Sequence, residues 1–121
     1  MNFNDFYWHD AIIKNIQIER LNPGIEDSIK FDIEWPEDQG KVTFVFEEVY
    51  WATMKLNFGI IANETILNAT LLNRDNKDLV DFYAKWKGEM NEVELNTYKI
   101  ELNSTGGEII IIAKKYRIDE R

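Results

Sequence analysis

The stretch Ile29-Lys30-Phe31-Asp32-Ile33-Glu34-Trp35 constrains this chain more than any other segment. Apolar and charged residues alternate through it without a break, and a period of two places all four apolar side chains on one face of a strand. A half-buried strand needs neighbours to satisfy its backbone and a layer to cover its apolar face. Pro36 ends it, because proline has no amide for the ladder, and Glu37-Asp38-Gln39-Gly40 then reads as a hairpin loop. The rest of the chain must therefore supply partners for this strand.

Such partners are present on both sides. Upstream, from Ala11 to Glu19, Ile12, Ile16 and Ile18 share one parity with Lys14 among them. Asn22-Pro23-Gly24 follows. Pro presets φ and Gly supplies φ > 0, which predicts a type II turn. Downstream, Val42, Phe44 and Phe46 form a third strand. After Glu47-Glu48 a fourth is expected, with Tyr50, Ala52, Met54, Leu56 and Phe58 on one face. Residues 64–72 fit a strand through Ile66, Thr70 and Leu72, or a short helix through Ile66, Ala69 and Leu72; the β-branched residues favour the strand. From Glu92 to Asn103 the parity changes midway, which a β-bulge near Asn96-Thr97 explains. Ser104-Thr105-Gly106-Gly107 is a hairpin connection, and Ile109 to Ile112 reads as a strand buried on both faces.

One segment has the other period. Leu79, Phe82, Tyr83 and Trp86 stand at i, i+3, i+4 and i+7, one stripe of a helix. Asp78 is the expected N-cap, and Gly88 suits the position past the C-terminus. The expected fold is therefore α+β and mostly antiparallel β. It is a curved sheet or small sandwich of about seven strands with one amphipathic helix, in one domain over residues 1–121.

Composition limits function. With 22 acidic and 14 basic residues the net charge is −8, which argues against nucleic acid and anionic membranes as partners. The basic run Lys114-Lys115-Tyr116-Arg117 is the one local exception. Cysteine is absent, so disulfides and thiolate chemistry are excluded. No apolar run approaches a membrane span and the first residues lack a signal-peptide pattern, which leads us to expect a cytoplasmic protein.

Chemistry-bearing patterns are sparse. His9 is the only histidine, which excludes multi-histidine metal sites. Asp5, His9 and Asp10 could form an acid/base or metal group, or an ordinary surface cluster. Glu47-Glu48 is the most noticeable carboxylate pair, yet neighbours on a strand point to opposite faces. Phe3, Phe6, Tyr7 and Trp8 suit either a ligand platform or a segment pinned to the core by its rings. No catalytic residue, metal site or cofactor is assigned.

Charge is unevenly spread. Between Glu19 and Glu48 lie nine acidic residues against three basic ones, so this segment carries six of the eight net negative charges. Asp32 and Glu34 share the polar face of the second strand, with Glu26 and Asp27 at one hairpin tip and Glu37 and Asp38 at the other. These six residues are the candidate partner-binding surface, suited to steering a basic protein. A solvated sheet face that resists edge aggregation would look similar.

Phe6-Tyr7-Trp8-His9-Asp10, the Trp35-Pro36 hairpin, the Phe44-to-Tyr50 stretch and Asn57-Phe58-Gly59-Ile60-Ile61-Ala62-Asn63-Glu64-Thr65-Ile66 resemble small uncharacterised bacterial proteins that are themselves similar to immunity proteins of toxin systems. The resemblance implies binding of a cognate toxin without catalysis and assigns no residue a role. The expected function is thus a non-enzymatic protein-binding domain, in this form an immunity protein acting on a basic toxin. The alternative is a small-molecule or carbohydrate-binding domain with an aromatic cleft beside the helix, built around Trp8, Trp51 or Trp86. The oligomeric state is left open.

Overall fold

Alternation and turn chemistry fix the local elements of the computed structural model, which describes residues 2–120. A 3-10 turn at Phe3–Asp5 precedes β1 (Ile12–Asn22), β2 (Glu26–Glu34), β3 (Lys41–Lys55), β4 (Glu64–Leu71), α1 (Lys77–Lys85), β5 (Asn96–Leu102) and β6 (Glu108–Glu120). The turn joining β1 and β2 has the expected type II form: Ile25 N–H donates to the Asn22 carbonyl at 2.9 Å and Gly24 has φ 86°.

Six antiparallel strands close into a barrel in the order β1-β2-β3-β6-β5-β4. This corrects the expected count of seven and the small sandwich; the expected curved sheet curves far enough to close. The count differs because the expected third and fourth strands are one 15-residue strand, β3. Glu47 and Glu48 do not interrupt it. Glu48 takes the left-handed region with φ 52°, and a register shift between Val49 and Trp51 marks a bulge. The bulge turns Tyr50 out of the expected apolar face, while Ala52 and Met54 lie opposite the buried Ile111 and Ile109 and share their inner face.

Bulges account for other departures. A shift between Ile13 and Asn15 puts Ile13, not Ile12, in the core. Another between Ile66 and Asn68 brings both Ile66 and Ala69 inside, so the helix-like spacing of residues 64–72 belongs to a bulged strand. No bulge is found at Asn96-Thr97: the parity changes there because β5 begins at Asn96, and Val93 and Leu95 pack against the helix instead.

The barrel interior is filled by side chains from every strand, among them Ile13, Phe31, Phe44, Ile66, Ile100 and Ile111. Helix α1 lies outside it. Leu79 and Phe82 cover Leu95 and Ile112, with Trp51, Tyr83 and Val93 packed against them. This second layer is why β6 is apolar on both faces. The N-cap is Asn76 rather than Asp78: its side chain accepts from the Leu79 amide at 2.9 Å. At the end of β3 the chain passes close to the hairpin between β5 and β6. A Cβ on Gly107 would stand 2.3 Å from the Lys55 carbonyl oxygen, so only glycine fits there.

Candidate binding site

The N-terminal segment seals one end of the barrel. Phe3 is buried with its ring 4.9 Å from Tyr98 and 5.6 Å from Phe44, and Trp8 lies 5.0 Å from Phe44. Trp8 Nε1 donates to the Phe3 carbonyl at 2.7 Å, and Phe6 stacks on Trp35. Of the four candidate platform rings, Phe3 and Trp8 are core, Phe6 is half-buried against it, and Tyr7 is exposed with its edge toward Trp35. Burial pushes the Tyr98 phenol up to about 12.

His9 lies outside this cluster. Its Nδ1 is 3.0 Å from the Leu67 carbonyl oxygen and its Nε2 is 3.7 Å from Asp10, with both side chains exposed. Asp5 instead accepts from the Asn2 amide within its own turn. His9 lines neither of the two cavities described below. Among the described residues, no group of three or more His, Cys, Asp or Glu could hold a metal ion.

The opposite end of the barrel is open. β2 pairs with β3 only from Glu34↔Lys41 to Ser28↔Glu47. Beyond that, Glu48–Lys55 has one strand partner among the described residues, β6. The nine-residue β2 is too short to accompany the 15-residue β3. A cleft of about 550 Å³ lies between the unaccompanied half of β3 and the β1-β2 hairpin. Ile18, Ile25, Ile29, Val49, Trp51 and Met54 supply its apolar lining, and Glu19, Arg20, Asp27 and Glu48 stand among them.

Two residues show that the cleft leads into the barrel. Ile18 pairs with the core residue Ile29, and Ala52 pairs with Ile111, so both lie on the inner face. Yet Ile18 is 59% exposed, and Ala52 is exposed too. The hairpin tip adds Leu21 and Ile25, 81% and 79% exposed. Hairpin tips ordinarily carry polar residues, so these apolar ones are a sequence signal that the reading of the hairpin as an acidic surface passed over.

The six acidic candidates do not form one patch. Glu26 and Asp27 lie at the rim of the open end, where β2 begins, and Glu37 and Asp38 lie beyond its other end. A nine-residue strand spans roughly 30 Å. Asp27 accepts from the Gly24 amide at 3.0 Å and from Arg20 Nε at 2.9 Å, and these two donors hold its carboxyl below the usual range. Asp32 accepts from Thr43 Oγ1 at 2.9 Å, and Glu34 is 3.9 Å from Lys14 Nζ. Glu37 and Asp38 are exposed in a loop where both have positive φ.

Neighbouring strands bring cations that segment counting misses. The register places Lys30, Val45 and Arg117 in one row across β2, β3 and β6. Lys30 pairs with Glu19, Arg117 with Glu47 and Asp119, and Lys114 with Glu48. The basic run of the C-terminal strand thus faces the Glu47-Glu48 pair. Around the root of the hairpin Glu26 is the carboxylate that no cation pairs with among the described residues. A second hollow of about 300 Å³, lined in part by Glu19, Glu26, Asp27, Glu47 and Glu48 against Lys30 and Arg117, adjoins the cleft.

Among the three indoles proposed as stacking platforms, Trp8 is buried and Trp86 is half-exposed at the end of α1; only Trp51 lines the cleft. No known protein family matches this chain, and neither does any curated protein.

Proposed function

We propose that this protein is a non-enzymatic protein-binding domain that engages a basic protein through the open end of its barrel. The observation that carries the reading is the exposure of Ile18, Leu21 and Ile25 around a cleft into the interior, with Glu26 and Asp27 at its rim. Contiguous exposed apolar residues with a charged border are what protein partners bury. Asp32 and Glu34 on β2, and Glu37 and Asp38 beyond its far end, add to the long-range field that steers a cationic partner. In the form implied by the resemblance, that partner is a toxin and the protein is its immunity protein.

The test is capture of partners from the native cells, followed by titration of the purified partner. Ile25→Asp and Glu26→Lys should each weaken binding at least tenfold and leave the thermal transition unchanged. Unaltered affinity in both variants rejects the open end as the contact.

A second reading, a small-molecule site, is favoured by Trp51 and Tyr50 in the cleft. Trp51 fluorescence that responds to a panel of mono- and oligosaccharides or apolar small molecules, and loses the response in Ile18→Asp, would support it.

A further inference from the structure

The half of β3 that outruns β2 presents three features in one place. Its backbone from Glu48 to Lys55 is laddered to β6 on one side only, among the described residues. The side chains beside that free edge form the apolar cleft into the barrel. Across the hairpin root the adjoining hollow carries five carboxylates; Glu19, Asp27, Glu47 and Glu48 pair with Lys30, Arg20, Arg117 and Lys114, and Glu26 at the rim pairs with no cation among the described residues. A free edge asks for a strand, because alternate amides and carbonyls project from it without a sheet partner. An apolar cleft on the inner face asks for apolar side chains at every second position of that strand. An acidic border asks for positive charge at the positions between.

We infer that β3 is completed by an extended segment of a basic protein, which adds as a strand along Val49–Lys55. The segment has about seven residues alternating between apolar and Lys or Arg. It takes the place that β2 vacates, in line with β2 and antiparallel to β3. Its apolar side chains enter between Ile18 and Ala52, and its cations lie toward Glu26 at the rim. Main-chain bonds supply affinity with little dependence on sequence, while the cleft and the carboxylates select the alternation and the sign of charge. This inference rests on the protein-binding reading and specifies how the partner is held.

The probe is a capped seven-residue peptide alternating Val and Lys, with a Val-Glu peptide of equal length as control. Amide hydrogen exchange is followed residue by residue in the intact protein. Alternate amides of residues 49–55 should exchange rapidly without peptide and slow at least tenfold with the Val-Lys peptide. The Val-Glu peptide should bind at least tenfold more weakly. Ile18→Lys should abolish the protection, whereas Ile61→Lys, in the exposed loop after β3, should preserve it; a thermal melt of each variant checks the fold.

Binding without slowed exchange in residues 49–55, equal binding of the two peptides, or no binding at millimolar peptide overturns strand addition. If a native partner still depends on Ile25 and Glu26 after any of those results, the protein-binding reading stands without it. If a native partner is indifferent to those residues, that reading fails whatever the peptides do.

Discussion

At one end of the barrel Phe3, Phe6 and Trp8 pack on Trp35, Phe44 and Tyr116. At the other, Ile18 and Ala52 are aimed at the same interior and meet solvent. Both ends are built from similar apolar residues on the same strands. They differ in what the chain brings to cover them: residues 3–8 fold back over the first, whereas the hairpin at the second stops short of β3. Burial belongs to the neighbourhood of a residue and not to its type, so one apolar face can be core at one height and binding surface at another.

Substitution at matched positions gives the largest contrast. Phe3→Ala should cost about 3–5 kcal/mol, because the ring is fully enclosed and its loss leaves a cavity. Ile18→Ala should cost under about 1 kcal/mol, since the side chain is already wet. Urea denaturation of both variants measures the difference, and equal losses would break the comparison.

Alkaline titration isolates the sealed end. Tyr98 has its phenol raised to about 12 against an ordinary 10. Between these values the unfolded chain has released a proton that the native state retains. The stability tied to this group is therefore complete below pH 10 and declines as pH rises toward 12, by about 2–3 kcal/mol in all. Tyr98→Phe should flatten this limb by that amount.

The smallest effect belongs to the open end. Asp27 is held below the usual carboxylate range by the Gly24 amide and Arg20. Its contribution is present above the ordinary carboxylate value and disappears as pH falls through the native one. Asp27→Asn should accordingly reduce the fall in melting temperature between pH 7 and pH 3, and an identical acid limb in both proteins would show that the turn is indifferent to this charge.

Much of the fold could be read from the sequence. The turn at Asn22-Pro23-Gly24, the alternation in β2, the strand at 64–72, the doubly apolar Ile109–Ile112 and the helix stripe through Leu79 and Phe82 are all local patterns. The fusion of two expected strands into β3 could not be read, because Glu47-Glu48 resembles a break when the cations opposite it on β6 are unknown. Barrel closure rests on Ile12↔Thr65 and Ile13↔Glu64, two pairings between distant segments that no periodicity announces. The cleft was hidden for a related reason: it follows from a mismatch in strand length, visible only once the register is known. The acidic residues can be counted in the sequence, but their neighbours on β1, β3 and β6 decide how much of the charge remains unpaired.

The ring of Phe3 touches Tyr98 and Tyr116, so the interior is completed by contacts between nearly the first and nearly the last residues of the chain. Contacts of that span make little local order to build upon, and the loop they close takes in all six strands. Folding of this domain should accordingly be slow for its size. The segment around Phe3, made before β5 and β6, has to wait for them before it can dock.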